Sequence, residues 1–290
     1  FVAVDTSFPP GRGYATLADA VEAEFAPLGY AVRRVEVPEA LWAAPESEGV
    51  RVNLIAAPAR RSRPPCCVYV HADVVPPGDG WTLPPFALTR DGDKLHGRGT
   101  ADMKGTIASL LAAVTVASRA GLPLTHDPVL LLCTDEEGGL YPGVRYLAEQ
   151  GLIEGDHLIC LNGGAVPRIW AGCFGSLDVA IRVEGRAAHS GDPGTDGVNA
   201  VESALPAKVE GRRSALPPPP HLEGRPLTAR LNVTGIRGGA KGSALPGLCE
   251  ILVNRRVMPE ETMEGAIAEI EAAVLDGAAG SGALSITTRL

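Results

Sequence analysis

Two runs, PCCVYV at 65–70 and PVLLLC at 128–133, restrict the fold of this chain more than any other feature. Each is a near-continuous apolar stretch of strand length, the pattern of strands covered by helices on both faces, and it suggests a largely parallel central sheet. The chain opens with apolar positions at helical spacing over 14–29, followed by the alternating run YAVRRVEVP, a helix-strand start. Strand candidates follow at 51–57, 66–72 and 129–134, with a helix rich in small residues over roughly 103–119 between the last two. This order predicts an α/β domain.

Near residue 175 the pattern changes. LDVAIRVEG, a helical stretch over roughly 196–210, the strands TARLNVTGI and CEILVNRRV, a helix over roughly 260–275 and a final ALSITTRL spell β-α-β-β-α-β. That is the ferredoxin-like unit, a small sandwich complete in itself, and PPPPH at 217–221 reads as a surface connection inside it. Two domains are therefore expected, residues 1–175 and 176–290.

Charge and composition exclude several classes of function. A net charge of -8 with no local basic patch argues against nucleic acid or an anionic membrane surface as a partner. No run of about 18 apolar residues is present, and FVAVDTSFPPGRG lacks the charged-then-apolar layout of a signal peptide, so a cytoplasmic protein is expected. The six cysteines have neither C-x-x-C spacing nor the density of a disulfide scaffold. They read as buried thiols, with Cys66, Cys67, Cys133 and Cys160 in or beside apolar runs.

Three acidic or histidine motifs follow predicted strands, where open α/β sheets place their ligands. They are His71-Ala72-Asp73, Asp102 in GRGTADMKG, and Glu136-Glu137 in TDEEGG. In extended backbone residues i and i+2 face the same way, so Asp73 can accept one ring N–H of His71 and leave the other nitrogen for a metal. Asp102 can bridge two divalent ions about 3.5–4 Å apart, and Glu137 can bind one of them. Glu136 is then free to act as general base, taking a proton from the attacking water and returning it to a leaving amine. Each motif alone has a plainer reading: a satisfied core histidine, Asp102 as a helix N-cap with Met103 at the first helical position, and a solvated turn at 136–137. Their joint occurrence, each beyond a separate strand and inside a glycine-rich turn, favours the metal centre.

With those residues in place, the chain resembles the dinuclear-zinc amidohydrolases and metallopeptidases that include acetylornithine deacetylase, succinyl-diaminopimelate desuccinylase, aminoacylase and glutamate carboxypeptidase. The strings VYVHADVVPPGDGWTLPPFALTRDGDKLHGRGTADMKG and LLLCTDEEGG look like the family's two metal-site blocks, and GRAAHSGDPGTDGVNAVE looks like the start of its lid. The resemblance implies a zinc-peptidase-like three-layer catalytic domain, incomplete at its C-terminal side, with a ferredoxin-like lid and dimerisation domain. It implies two Zn2+ ions per active site, with Co2+ or Mn2+ as substitutes, and hydrolysis of an amide bond in a small N-acylated amino acid or peptide. His71 would bind the first zinc with Asp73 as its orienting carboxylate, Asp102 would bridge, Glu136 would be the base and Glu137 would bind the second zinc. His189 looks like the lid histidine that reaches across a homodimer interface to steady the oxyanion. Arg256 looks like the clamp on the substrate carboxylate, with Arg255 as its competitor, since only one of two neighbours on a strand can face the cleft.

The sequence also departs from the family pattern. The remaining metal ligand, a Glu or Asp in the family, falls on Asn162, a neutral amide that holds zinc less strongly, with His157 as a conceivable substitute. Ser243 stands where the family usually has an Asn, and Asn254 where it often has an Asp, so no acyl group is assigned. Family members return from the lid to supply a last histidine to the second zinc, and no residue follows Leu290 here, so this chain by itself is expected to be poorly active. The competing reading is a catalytically impaired relative that binds a small molecule or a partner.

Overall fold

Alternating apolar residues build a separate sheet in each of two compact units, Phe1–Pro167 and Arg168–Leu290. The computed structural model describes residues 1–138, 141–162, 174–189, 197–203, 221–222, 225–226, 231–240, 242–279 and 281–290.

The first unit runs α1 (Tyr14–Phe25), β1 (Tyr30–Glu36), β2 (Val52–Pro58), β3 (Pro65–His71), β4 (Thr89–Asp91), β5 (Lys94–His96), α2 (Lys104–Arg119), β6 (Asp127–Cys133), α3 (Val144–Glu149) and β7 (His157–Cys160). Its five-stranded sheet has the order β1-β2-β6-β3-β7, and β4 pairs with β5 as a separate hairpin. Strands β6, β3 and β7 are parallel, whereas β1 with β2 and β2 with β6 are antiparallel. The sheet is thus mixed, which corrects the expectation of a largely parallel one. The reason is that β2 is buried at six of its seven positions, and a strand covered on both faces reads as a continuous apolar run whichever way it points.

Alternation divides the sheet's side chains between two cores. Leu54, Ala56, Val70, Ala72, Leu130 and Leu132 pack with α1 and with Met103 and Ile107 on one face. Ile55, Ala57, Cys67, Tyr69, Leu131 and Cys133 pack with Leu147 of α3 on the other. Helices therefore cover both faces, and the first unit has three layers. Cys67, Cys133 and Cys249 are buried as expected and Cys66 is half-buried, but Cys160 is exposed. Among the described residues strand β7 has a neighbour on one side only, and all four of its residues are exposed. Cys173 lies outside the described residues.

The second unit runs β8 (Gly175–Glu184), β9 (Ala188–His189), α4 (Ala200–Ser203), β10 (His221–Leu222), β11 (Arg225–Pro226), β12 (Leu231–Gly238), β13 (Ala244–Leu245), β14 (Leu248–Val257), α5 (Met263–Ala278) and β15 (Ser285–Arg289). Four of these strands form an antiparallel sheet in the order β12-β14-β8-β15. Leu177, Val179, Ile181 and Val183 of β8 and Cys249, Ile251 and Val253 of β14 turn one face toward Ala200, Ala266 and Ile270 of the helices. Thr262 caps α5, its hydroxyl accepting the Gly265 amide at 3.1 Å. Of the helix expected over 196–210, residue 196 and residues 204–210 lie outside the described residues, as do 217–220 of the proline run. Among the described residues no helix is long and apolar enough to cross a membrane.

The turn between β2 and β3 is fastened by Asp127 at the start of β6, which accepts the amides of Ser62 (2.8 Å) and Arg63 (3.0 Å) and the Arg63 guanidinium (3.3 Å). Burial works against the charged form, but the Arg63 and Ser62 donors outweigh it and hold this carboxyl below the ordinary range. A depressed carboxyl contributes stability that is present above its unfolded value, about 4, and lost as pH falls through its folded value. Asp127→Asn should therefore lower the urea midpoint at pH 7, with the gap to the native chain closing as pH drops below about 5. A gap that stays constant down to pH 3 would show that the Asp127 charge contributes nothing.

Candidate metal centre

The parallel strands β3 and β6 end side by side, with His71 opposite Cys133 and the Ala72 amide donating to the Cys133 carbonyl at 2.7 Å. Both chains then turn out of the sheet on the same side, carrying His71 and Asp73 from one and Thr134–Gly138 from the other. Asn53 of β2 holds the second turn at both ends, accepting the Thr134 amide at 3.0 Å and donating to the Pro142 carbonyl at 2.8 Å. Glycine is required at 138, because a Cβ there would lie 2.2 Å from Phe8 Cε1. At 105 it is required because a Cβ would lie 2.1 Å from the Thr100 carbonyl oxygen, where the first turn of α2 presses on the loop carrying Asp102. Helix α2 begins after Met103 with no side-chain cap, so Asp102 is not spent as an N-cap and its carboxylate remains available.

His71 is fully buried. Its Nδ1 lies 3.0 Å from the Asp73 main-chain oxygen and 3.5 Å from Asp73 Oδ1, two acceptors that place the ring proton on Nδ1. The main-chain carbonyl, rather than the carboxylate expected from sequence, is the nearer of the two. Nε2 then points at Asp102 Oδ1 (3.1 Å) and Glu136 Oε2 (3.9 Å). Ligand atoms of His71, Asp102 and Glu137 all lie within 4.8 Å of one another. Asp73 ties the two turns together, because its Oδ2 accepts the Glu137 amide at 2.8 Å. The Met103 sulfur accepts the His71 amide at 3.1 Å, a contact the sequence reading did not foresee.

The electrostatics of the cluster follow from crowding. Burial opposes a charge on His71, but Asp73, Glu136 and Asp102 outweigh it and lift the imidazole to about 9. Burial also pushes the Glu136 and Glu137 carboxyls up, and the neighbouring acids Asp73 and Asp102 push them further. A buried imidazole whose Nε2 faces convergent carboxylate oxygens that repel one another is a donor set suited to a divalent cation such as zinc, which would take the place of the Nε2 proton.

Asn162 sits beside this cluster, and its Nδ2 donates to Glu136 Oε1 at 2.6 Å. His157 does not reach it. That residue pairs with Cys66 of β3, five positions before His71 or about 16 Å at 3.3 Å per residue, and its ring packs against His126 instead.

His189, Ser243 and Arg256 belong to the second unit. His189 pairs with Ala244 in the short β9–β13 ladder just before β14, and Ser243 is the residue immediately preceding that ladder. Arg256 lies near the other end of β14, eight residues from Leu248, about 27 Å at 3.4 Å per residue. Of the two neighbouring arginines, Arg255 is buried and bonded to Glu261 (2.6 and 3.2 Å) and Glu269 (3.1 Å), which leaves Arg256 as the exposed one.

Sequence reasoning assigned no role to Asp135, Arg51 or Tyr14, which are buried directly beneath the acid pair. The available signals were a charged residue opening the apolar run RVNLIAAP and the Asp of TDEEGG.

Residues 67–273 match the family model described as peptidase family M20/M25/M40. The chain is 34% identical over 197 residues to an acetylornithine deacetylase of Klebsiella pneumoniae (strain 342), covering 67% of this chain and 50% of that protein. It is 39% identical over 145 residues to a succinyl-diaminopimelate desuccinylase of Gluconobacter oxydans (strain 621H), covering 46% of this chain and 36% of that protein. The matched stretches thus span half or less of these curated relatives. The fold is that of the crystal structure of human carnosine dipeptidase 1, with a TM-score of 0.75 at 18% identity over 99% of this chain and 75% of the other.

Because Asp73 both faces the His71 ring and anchors the Glu137 amide, its loss disturbs two donors at once. Asp73→Asn should weaken Zn2+ binding by about 10- to 100-fold in equilibrium dialysis. An unchanged affinity would remove Asp73 from the centre.

Proposed function

The chain belongs to peptidase family M20/M25/M40, and on that premise we propose that it is the metal-binding part of a zinc-dependent amidohydrolase that cleaves an N-acylated amino acid or small peptide. The observation that carries this reading is the convergence of His71, Asp102 and Glu137 on one point, with Glu136 beside them, beyond the carboxyl ends of parallel strands. Metal-dependent hydrolysis is the family's chemistry. The acylated substrate and the two-zinc stoichiometry are our own assignments.

In this reading His71, Asp102 and Glu137 hold the ions, and Asp73 keeps the imidazole in the tautomer that offers Nε2. A divalent metal held there would supply Lewis acidity toward a carbonyl oxygen and would acidify an attacking water. Glu136 would take the proton of that water and return it to the departing amine. Its burial suits the task, since a carboxylate raised from its ordinary range holds a proton more readily as the reaction proceeds. Asn162 donates to the far oxygen of Glu136 and orients the base.

The second unit, read as a ferredoxin-like lid, contributes His189 to the oxyanion and Arg256 to a substrate carboxylate. Arg256 is the better clamp because Arg255 is committed to Glu261 and Glu269. His189 lies on the ladder before β14 and Arg256 near the far end of that strand, and in the homodimer we propose the two residues of one lid serve different active sites.

The test uses the gene's complete product, assayed for metal content and for hydrolysis of a panel of N-acetyl and N-succinyl amino acids and dipeptides. Glu136→Gln should lower kcat by about 10²- to 10⁴-fold while bound metal stays the same. Normal turnover in that variant would rule out Glu136 as the base. Tight metal binding by the native protein with no hydrolysis across the panel would favour a relative that binds its ligand without cleaving it.

A further inference from the structure

The acid pair does not sit on a free turn. Asp135, two residues past β6 and directly before Glu136, has a φ of 55°, a left-handed conformation uncommon outside glycine. Its side chain is completely buried and both oxygens are taken, Oδ1 by the Tyr14 hydroxyl at 2.5 Å and Oδ2 by Arg51 Nε at 2.6 Å. Arg51 is in turn fixed on every side. Its Nη1 donates to the carbonyls of Glu48 (2.6 Å) and Gly11 (3.3 Å) and its Nη2 to that of Pro10 (3.3 Å). Its guanidinium lies 4.3 Å from the Trp42 ring centroid, 5.2 Å from Tyr14 and 5.4 Å from Phe8.

A fully dehydrated ion pair is a poor way to gain stability, since apolar side chains of equal volume often do as well or better. Its advantage is directional, because the Nη groups anchor the guanidinium to three main-chain carbonyls and so fix the Nε–H that holds the carboxylate. Here the fixed carboxylate belongs to the residue whose backbone decides where the next two side chains point. The Glu137 amide is then caught by Asp73, so the turn is fastened on both sides of the acid pair.

We propose that the buried Arg51–Asp135–Tyr14 cluster positions the Glu136–Glu137 pair and thereby sets the metal affinity of the centre. The proposal deepens the metal-centre reading above and rests on it. None of the three residues touches the metal ligands' donor atoms. They act through the backbone of residues 135–137.

Tyr14→Phe tests this directly, because it removes one hydrogen bond to Asp135 Oδ1 and leaves the ring and the ion pair in place. The metal-free 290-residue chain is titrated with Co2+, followed by its visible absorption, and its metal-free melting is recorded alongside. The expected result is Co2+ binding weaker by about tenfold with an altered ligand-field spectrum, and a metal-free melting midpoint within a few degrees of the native chain. Unchanged Co2+ affinity and spectrum with a lowered midpoint would overturn the proposal and leave the cluster as scaffold. Glu137→Gln in the same titration separates the two levels of inference. If it weakens Co2+ binding and Tyr14→Phe does not, only the positioning role fails. If Glu137→Gln itself leaves the titration unchanged, the metal-centre reading fails and takes the proposal with it. Should Tyr14→Phe not fold, Arg51→Lys keeps the charge but gives up the fork, and the same two readouts apply.

Discussion

Four carboxylates crowd around one imidazole, and much of the first unit is arranged to tolerate that. Two like charges 4 Å apart cost about 4 kcal/mol at the effective dielectric of a protein's outer layers, so Asp73, Asp102, Glu136 and Glu137 would separate if their backbones allowed it. They do not. His71 and Asp73 leave a strand buried in the sheet, Asn53 grips both ends of the acid-pair turn, and the Phe8 ring lies against Gly138. Burial first, and then that repulsion, raises both glutamates, while attraction to the same carboxylates outweighs burial at His71 and lifts it to about 9. A fold that holds anions together against their repulsion is prepared for a cation.

This arrangement was legible in the sequence only in part. Strands and helices built from local periodicity appear within a few residues of where the apolar spacing puts them, as with 103–119 for Lys104–Arg119 and 66–72 for Pro65–His71. Strand direction was not legible, because β2 is buried on both faces and its composition carries no record of which way it runs. The cysteines show the same limit. Cys160 looks like its buried counterparts in sequence, yet among the described residues its strand ends the sheet, and a strand's place in the order is a property of the whole sheet.

The side chains of the centre divide along similar lines. His71, Asp73, Asp102, Glu136 and Glu137 could be picked out because short motifs with their own glycines surround them. The cluster beneath them could not, because Tyr14 and Asp135 are 121 residues apart and Arg51 and Asp135 are 84 apart, and no local pattern ties them together. Arg255 and Arg256 fall between these cases. Strand alternation says that one is buried and one exposed, but only Glu261 and Glu269, contributed by residues beyond β14, determine which.

Asn162 is where the physics of crowding and of catalysis meet. A carboxylate at this position would add a fifth negative charge to the cluster and could only repel Glu136. The amide lowers the electrostatic attraction for metal, but it also lowers the repulsion in the metal-free chain, so the two effects on ion binding oppose each other. It adds something a carboxylate lacks, an N–H that donates to Glu136 Oε1 and favours that residue's charged form against the push of burial. In the reading proposed here the substitution shifts this position from serving the metal toward serving the base. The centre then depends more heavily on the ligands that its rigid turns already hold in place.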